Sequence, residues 1–376
     1  MAEFACASHR AYVYLRGGKG GGRFVAELTP LAAVRWNRIR DDISQAEAVI
    51  PTTECCELLG DIRCILHELH LERDGVPVWE GPIVRIEYEW DVVRIFAEDV
   101  LWQASRTVIK DGYDQSFPNI GNALDRMDWL LRTQVYSLYG DPWHVVPHLL
   151  PMFNPAGGEP KTSRAVHAWQ LYVLTDFDNY SEHSGCDYTV VNRDIYYHDT
   201  HLARWVLPQL GDHDLSQFPR IVEYGNSLAT RGIVGDGQGH AAVVYGDAPY
   251  LNQDQYGIVD WLVANNDDTA SAVSDAPPTI EEIQAWETAA ERAIQDRYPP
   301  PQAVIVPQNA TLMPGAPWTI DMLIPTAWFP IRIERMCRTL TGWHKLHEVN
   351  VEETPDGGET IAIQSADAPK RRINLP

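Results

Sequence analysis

The sequence predicts a mainly β chain with an inserted α+β region, built on two β-barrel-like domains. Three observations carry this reading. Residues 66–106 form a strand meander: LHELHLER, a tight turn at Asp74-Gly75, VPVWEGPIVRIEY, then VVRIFAEDVLW after Glu89-Trp90-Asp91. Residues 330–365 repeat the design with IRIERMCRTL, WHKLHEVNVEE, a Pro355-Asp356-Gly357-Gly358 turn and ETIAIQS. The long stretch between them mixes helical and strand periodicities. Asp-Gly between alternating apolar runs is a strong hairpin signal, because both central residues of the turn need positive φ.

Taken in order, residues 11–15 and 23–28 read as a hairpin around the run Gly17-Gly18-Lys19-Gly20-Gly21-Gly22. VRWNRI is a strand, and DDISQAEAVIP a polar turn returning to an edge. With the first meander this gives five or six short strands before residue 110, enough for a small barrel or sandwich. Residues 99–106 read as a short helix leaving it. Ile120, Leu124, Met127, Leu131 and Leu138 share one face of a predicted helix, which Gly140 and Pro142 end. Residues 142–161 are a Pro/Gly loop, and residues 165–174 fit helix or strand equally. A short hairpin turns at Asn192-Arg193-Asp194, and strands follow at 218–224, 229–234 and 241–245, the last two joined by Gly235-Asp236-Gly237-Gln238-Gly239. Residues 267–278 read as a linker. The helix predicted at 280–298 has Thr279 and Glu282 as a capping box, Ile283, Trp286, Ala290 and Ile294 as its buried stripe, and Pro299-Pro300-Pro301 as its stop. AVIVP opens the second β block. The domains expected are 1–110, a mixed insertion at 111–300, and 301–376.

Composition bounds the function classes. The chain has 30 basic and 52 acidic residues, a net charge of −22, which disfavours DNA and anionic membranes as binding partners. Its 13 Trp and 16 Tyr suit β-rich packing. Cys6, Cys55, Cys56, Cys64, Cys186 and Cys337 show no C-x-x-C spacing and read as reduced thiols. Neither a signal-peptide core nor a run of ~20 apolar residues is present, so the expectation is a soluble protein made in a cytoplasm, without a membrane anchor.

Chemical signatures are weak. Neither glycine run has the G-x-x-x-x-G-K-[ST] order or the following helix of a phosphate site. His198-Asp199-Thr200-His201 is the best metal candidate, with Asp199 or Asp194 as an oxygen ligand, but no accompanying motif supports it, and no metal or cofactor is assigned. Asp176, Asp178, Glu182 and Asp187 flank Phe177, Tyr180 and Tyr188, the ingredients of a glycan groove or glycoside hydrolase. In a polar loop such carboxylates more often only solvate it. No G-x-S-x-G or Cys/His pattern is present, and no catalytic residue is named.

VRWNRIRDDISQAEAVIP, HELHLERDGVPVWEGPIVRIEY, SGCDYTVVNRDIYY and APWTIDMLIP…MCRTL…WHKLHEVNVEETPDGGETIAI, in that order, resemble the baseplate hub or minor tail proteins of siphophages infecting actinobacteria. Residues 73–83, R-D-G-x-x-V-W-E-G-P-I, carry the best of these motifs: a turn, a strand with inward Trp79, and Gly81-Pro82 as a bulge or kink. The resemblance implies a homotrimeric ring at the distal tail tip of the virion, with two tube domains per chain and an outer decorating region. Its partners would be the distal tail protein and other tail-tip proteins, and viral DNA would pass without specific binding. It implies no enzyme and no cofactor. If such a ring lines a DNA channel, carboxylates should face the lumen, since Lys and Arg would hold phosphates and slow passage. The polar positions of the β blocks supply Glu72, Glu80, Glu87, Glu89, Glu334, Glu348 and Glu352. The alternative expectation is a tail-associated cell-wall hydrolase or glycan-binding module using residues 176–199.

Overall fold

Among the described residues, seven strands precede residue 100: β1 (His9–Leu15), β2 (Phe24–Leu28), β3 (Ala33–Ile39), β4 (Gln45–Pro51), β5 (His67–Arg73), β6 (Val76–Tyr88) and β7 (Val92–Glu98). They come from a computed structural model that describes residues 7–16, 22–51, 61–112, 123–136, 166–184, 186–200, 203–223, 225–235, 240–245, 257–262, 302–307, 310–335, 338–353 and 358–367, with isolated positions between 280 and 297. The Gly17–Gly22 tip (apart from Gly22), Cys55-Cys56, the 142–161 loop, the linker at 267–278, the Thr279/Glu282 capping box, the triple proline, His201 and most of the Pro355–Gly358 turn lie outside the described residues.

Turn chemistry behaves as the residues dictate. Asp74 (φ 51°) and Gly75 (φ 80°) both take the left-handed conformation that a two-residue hairpin requires, and β5 pairs with β6 across them. Strand β6 then changes partner. Its first half pairs with β5 and its second half with β7, and Gly81-Pro82 sits at the handover. A Cβ at Gly81 would overlap the carbonyl oxygen of Glu98, so only glycine lets these backbones approach. Strand β4 lies between β3 and β7, so the expected return to an edge is corrected: its alternation of Ala46, Ala48 and Ile50, all buried, suits an interior strand.

After β7 the chain forms α1 (Trp102–Arg106) and α2 (Ala123–Trp129), the latter continuing as a wider π turn over Leu130–Tyr136. The single helix expected here therefore changes pitch, which brings Leu130, Leu131 and Val135 all inward. The undecided stretch leads into α3 (Val173–Ser184); of the carboxylates expected in a polar loop, Asp176, Asp178 and Glu182 stand on this helix and Asp187 on the strand that follows. The predicted hairpin is β8 (Cys186–Val191) and β9 (Asp194–Asp199), turning at Asn192 (φ 58°) and Arg193. These helices and this hairpin share one apolar core containing Leu124, Met127, Phe177, Tyr180, Tyr188 and Tyr197.

The remaining strands are β10 (Leu210–Gly211), β11 (Arg220–Glu223), β12 (Arg231–Gly235), β13 (Ala241–Tyr245), β14 (Asp260–Leu262), β15 (Gln302–Ile305), β16 (Trp328–Arg335), β17 (Arg338–Glu353) and β18 (Glu359–Asp367). The break expected between IRIERMCRTL and WHKLHEVNVEE is corrected. The chain reverses between Arg335 and Arg338, which pair, and Gly342 lies inside β17 opposite Ile331. Strands from both ends of the chain join one eleven-stranded sheet, ordered β10-β16-β17-β3-β4-β7-β6-β5-β1-β2, with β18 also on β17. The fold is mainly β, as expected.

Two compact units divide the chain. The larger takes residues 1–219 and 306–368, and the smaller takes 220–305. In the smaller unit β12 pairs with β13 and β14, and β15 pairs with β11. A Cβ at Gly232 would lie 2.8 Å from the Ala290 carbonyl, which explains glycine in that strand. Of the stripe expected at 280–298, Ala290 and Ile294 are buried, Trp286 is half-buried and Ile283 is exposed.

Candidate assembly face

Strands β17, β3, β4 and β7 turn Val349, Val351, Val34, Trp36, Ala46, Ala48, Val93, Ile95 and Ala97 inward. Strand alternation therefore presents Glu348, Asn350, Glu352, Arg35, Asn37, Gln45, Glu47, Arg94 and Phe96 on the opposite face. Charges on that face alternate in sign. Arg35 meets Glu352 at 2.8 Å and Glu47 at 3.7 Å; Arg94 meets Glu47 at 2.8 Å and Glu89 at 2.9 Å. Asn37 Nδ2 donates to Glu348 at 3.1 Å, and the Arg85 guanidinium stacks 4.0 Å above the Phe96 ring. Arg35, Asn37, Gln45, Glu47, Phe96 and Glu352 line a shallow depression. Such exposed pairs contribute little to stability, about 0–1 kcal/mol each, so this is a patterned wet surface and not a folding core.

The acidic candidates divide by this geometry. Glu348 and Glu352 lie on the face itself, with Glu89 at its margin beside Arg94. Glu87 pairs with Arg85 at 3.3 Å, and Glu334 with Arg332 at 2.5 Å. Glu72 is half-buried and lies 3.3 Å from the His70 ring. Glu80 is 5% exposed and is taken up internally, which removes it from any wet wall.

Glu80 belongs to a clamp that sequence reasoning missed. Arg193, at the tip of the β8–β9 hairpin, donates to Glu68 at 2.6 Å and Glu80 at 2.9 Å, and Glu80 also lies 3.3 Å from His70. Burial lowers the Arg193 pKa, but Glu68 and Glu80 outweigh it and leave the group above its usual value. At the hairpin's base, Asp41 (φ 61°) receives the Tyr188 N–H on its carboxylate, while its own N–H donates to the Tyr188 carbonyl. Thr189 Oγ1 donates to the Ile39 carbonyl. On β17, Lys345 Nζ donates to Asp187 Oδ2, to the Thr200 carbonyl at 2.7 Å and to Thr200 Oγ1 at 3.1 Å. Burial lowers Lys345, with Asp187 opposing. For Asp187 burial acts upward, but Lys345, His198 and Arg40 hold its carboxyl low. Arg38 is likewise buried and donates to the carbonyls of Ile320, Leu323 and Val78; burial brings it down to about 10.

The metal and glycan candidates do not assemble. His198 is buried, with Nδ1 at 2.8 Å from the Asp199 carbonyl and Nε2 at 2.8 Å from Thr326 Oγ1, so both ring nitrogens are engaged. No group of three metal-ligating side chains occurs among the described residues. Phe177, Tyr180 and Tyr188 are core residues, Asp176 is buried, and Asp178 accepts the Tyr188 hydroxyl at 2.6 Å. Aromatics expected to stack on sugar pack against each other instead, Phe177 edge-to-face with Tyr188 at 5.6 Å between ring centres.

No family model matches the chain, and no curated protein matches it. Among solved structures it is similar to the 43 kDa tail protein of prophage MuSo2 from Shewanella oneidensis, at 10% identity and a TM-score of 0.56, over 96% of this chain and 99% of that one. It is also similar to the prophage tail protein gp18 from Listeria monocytogenes, at 10% identity and a TM-score of 0.53, over 94% of each chain. A tail protein from Neisseria meningitidis gives 10% identity and a TM-score of 0.50, over 96% and 98%. At that identity the likeness establishes a fold shared with these tail proteins.

Proposed function

We propose that this chain is a baseplate hub, or minor tail, protein of a long-tailed phage infecting an actinobacterium. Three copies form a ring at the distal tail tip, continue the tail tube and let viral DNA pass without specific binding. The observation that carries this reading is likeness along almost the whole chain to prophage tail proteins. The sheet adds a physical reason: both ends of the chain contribute strands to one platform, of which β17, β3, β4 and β7 present a polar face. Residues 1–110 and 301–376 would supply the tube domains, and residues 111–300 the decorating region. Heterologous contacts that close by rotation make a ring of three from one kind of chain. The distal tail protein and other tail-tip proteins would be its neighbours, and the virion its location.

Glu72, Glu87, Glu89, Glu334, Glu348 and Glu352 would contribute to the channel wall. With Arg35, Arg85 and Arg94 paired among them, such a wall offers DNA little net positive charge. Repulsion beyond about 8 Å is screened at physiological salt, so the wall repels without blocking. Counting copies per virion by quantitative mass spectrometry, with a cryo-EM map of the tip, tests the proposal. Three copies at the distal tip is the expected result; another copy number, or a location elsewhere, refutes it.

A further inference from the structure

The geometry points to a covalent cross-link between Lys345 and Asp187, an amide joining the Lys345 Nζ to the Asp187 Cγ and tying β17 to the β8–β9 hairpin. This inference stands apart from the tail-tip reading, since it rests only on the buried pair and what surrounds it.

The two groups face each other in a dry setting. The Lys345 side chain is 0% exposed and that of Asp187 4%. The Trp328 ring stands 5.7 Å from Nζ, and His198, itself buried, lies within electrostatic reach of both. A second carboxyl, Asp41, bears on both groups from the turn after β3, beside Arg40. Backbone bonds to Tyr188, the residue after Asp187, fix its place. Burial and the charge of Asp187 push the Asp41 carboxyl up to about 6, so an acid that is protonated at mildly acidic pH lies within electrostatic reach of the pair, bonded to the N–H of the residue next to Asp187. A buried amine, a carboxyl group in contact with it and an acid within electrostatic reach are what amide formation between side chains needs.

The chemistry balances without an oxidant or cofactor. One proton passes from Nζ to Asp187, giving an uncharged amine against an uncharged carboxyl. Burial favours these forms, while Lys345, His198 and Arg40 hold the Asp187 carboxyl low, so the neutral pair is the minor state through which the step runs. The Nζ lone pair attacks Cγ, and Asp41 relays protons within the resulting tetrahedral centre. The Nζ–Cγ bond forms, one Cγ–O bond breaks, and that oxygen leaves as water with two of the three original ammonium protons. The third proton stays on the amide nitrogen, where the Thr200 carbonyl, 2.7 Å from Nζ, can accept it.

Intact-mass spectrometry of the folded full-length chain, followed by peptide mapping, tests this directly. The expected result is a chain lighter by one water, with the peptide holding Asp187 joined to the peptide holding Lys345. Lys345→Arg and Asp187→Ala should each show the full mass of their own sequences. A wild-type chain at its full sequence mass overturns the proposal. So does a missing water located within a single peptide, as a cyclic imide at an Asp-Gly step would give. Asp41→Asn keeps a residue type that tolerates the left-handed conformation. It should leave the circular dichroism spectrum unchanged and slow the appearance of the linked form at least tenfold; linking at the wild-type rate excludes Asp41 as the relay.

Discussion

Arg73 on β5 and Glu359 on β18 lie 286 positions apart in sequence and form a two-pronged ion pair, with Nε and Nη2 each 2.7 Å from a carboxylate oxygen. The Glu359 side chain has no exposure and that of Arg73 only 7%. Close by, Glu353 accepts from the His9 backbone N–H at 2.9 Å and lies 2.7 Å from the His9 ring, while Trp36 Nε1 donates to the other ring nitrogen at 3.1 Å. The N-terminal meander and the C-terminal strands are thus held together by charge as well as by the β3–β17 ladder. Glu359→Ala leaves a buried guanidinium without this partner and should cost about 3–5 kcal/mol. Urea unfolding monitored by tryptophan fluorescence measures it, and a loss below about 1 kcal/mol would contradict the assignment.

Gly81→Ala should be among the most damaging single-methyl changes in the chain. The added carbon meets backbone, the Glu98 carbonyl oxygen, with the Asp99 Cα at 2.9 Å, so no side-chain rotation relieves it. A cost at or above the ~1–3 kcal/mol typical of overpacking is expected. Gly75→Ala fails for another reason, its φ of 80°, although its surroundings are open. Thermal melts of both variants should show the larger loss at Gly81.

Asp99 gives the fold a pH dependence of unusual sign. Its carboxylate accepts the N–H groups of Ser44 at 2.6 Å and Leu101 at 2.8 Å, yet burial outweighs these bonds and raises the group from 3.8 to about 7. An acid whose folded pKa lies above its unfolded one binds its proton more tightly when folded. Its contribution is therefore favourable at low pH and fades as pH rises through the window from about 4 to about 7. Each unit in that window is worth up to about 1.4 kcal/mol. The stability difference between wild type and Asp99→Asn should then shift in favour of the variant between pH 5 and about 7.5. A difference independent of pH would show that Asp99 is charged throughout.

Glu348→Lys with Glu352→Lys tests the channel proposal at the polar face. The double change places one cation beside Arg35 and another beside Asn37, and gives DNA phosphates something to hold. Virions carrying it should eject DNA several-fold more slowly at low salt, with the difference shrinking as salt screens the contacts. A melting temperature near that of wild type confirms that ejection, and not folding, is being read. An unchanged rate removes both residues from the wall.

Local chemistry made part of this fold legible in sequence. Asp74-Gly75 and Asn192-Arg193 announced their turns because the residues that tolerate positive φ are few. Met336-Cys337 carries no such signal, so the reversal between Arg335 and Arg338 was displaced by several residues in the sequence reading. Lys345 was hidden for a different reason: the irregularity between Leu346 and Glu348 breaks the strand alternation that would have assigned its side. Arg193, Glu68 and Glu80 each look like ordinary surface charges. Only the docking of a hairpin 113 positions away makes them a buried set. Pairings across hundreds of residues, such as β3 with β17, leave no mark in either partner.

That last pairing sets a timetable for synthesis. Strand β3 emerges from the ribosome early, but β17, which covers its open side, follows roughly 300 residues later. At about 5–20 residues per second the exposed β3 edge waits on the order of 15–60 seconds. Throughout that interval it is a template for any extended chain nearby. Arg35, Asn37 and Arg38, polar and charged residues along β3, make a wrong partner costly during the wait. Ribosome stalling shortly before residue 338 should accordingly yield chains that aggregate, and synthesis through β17 and β18 should restore their solubility.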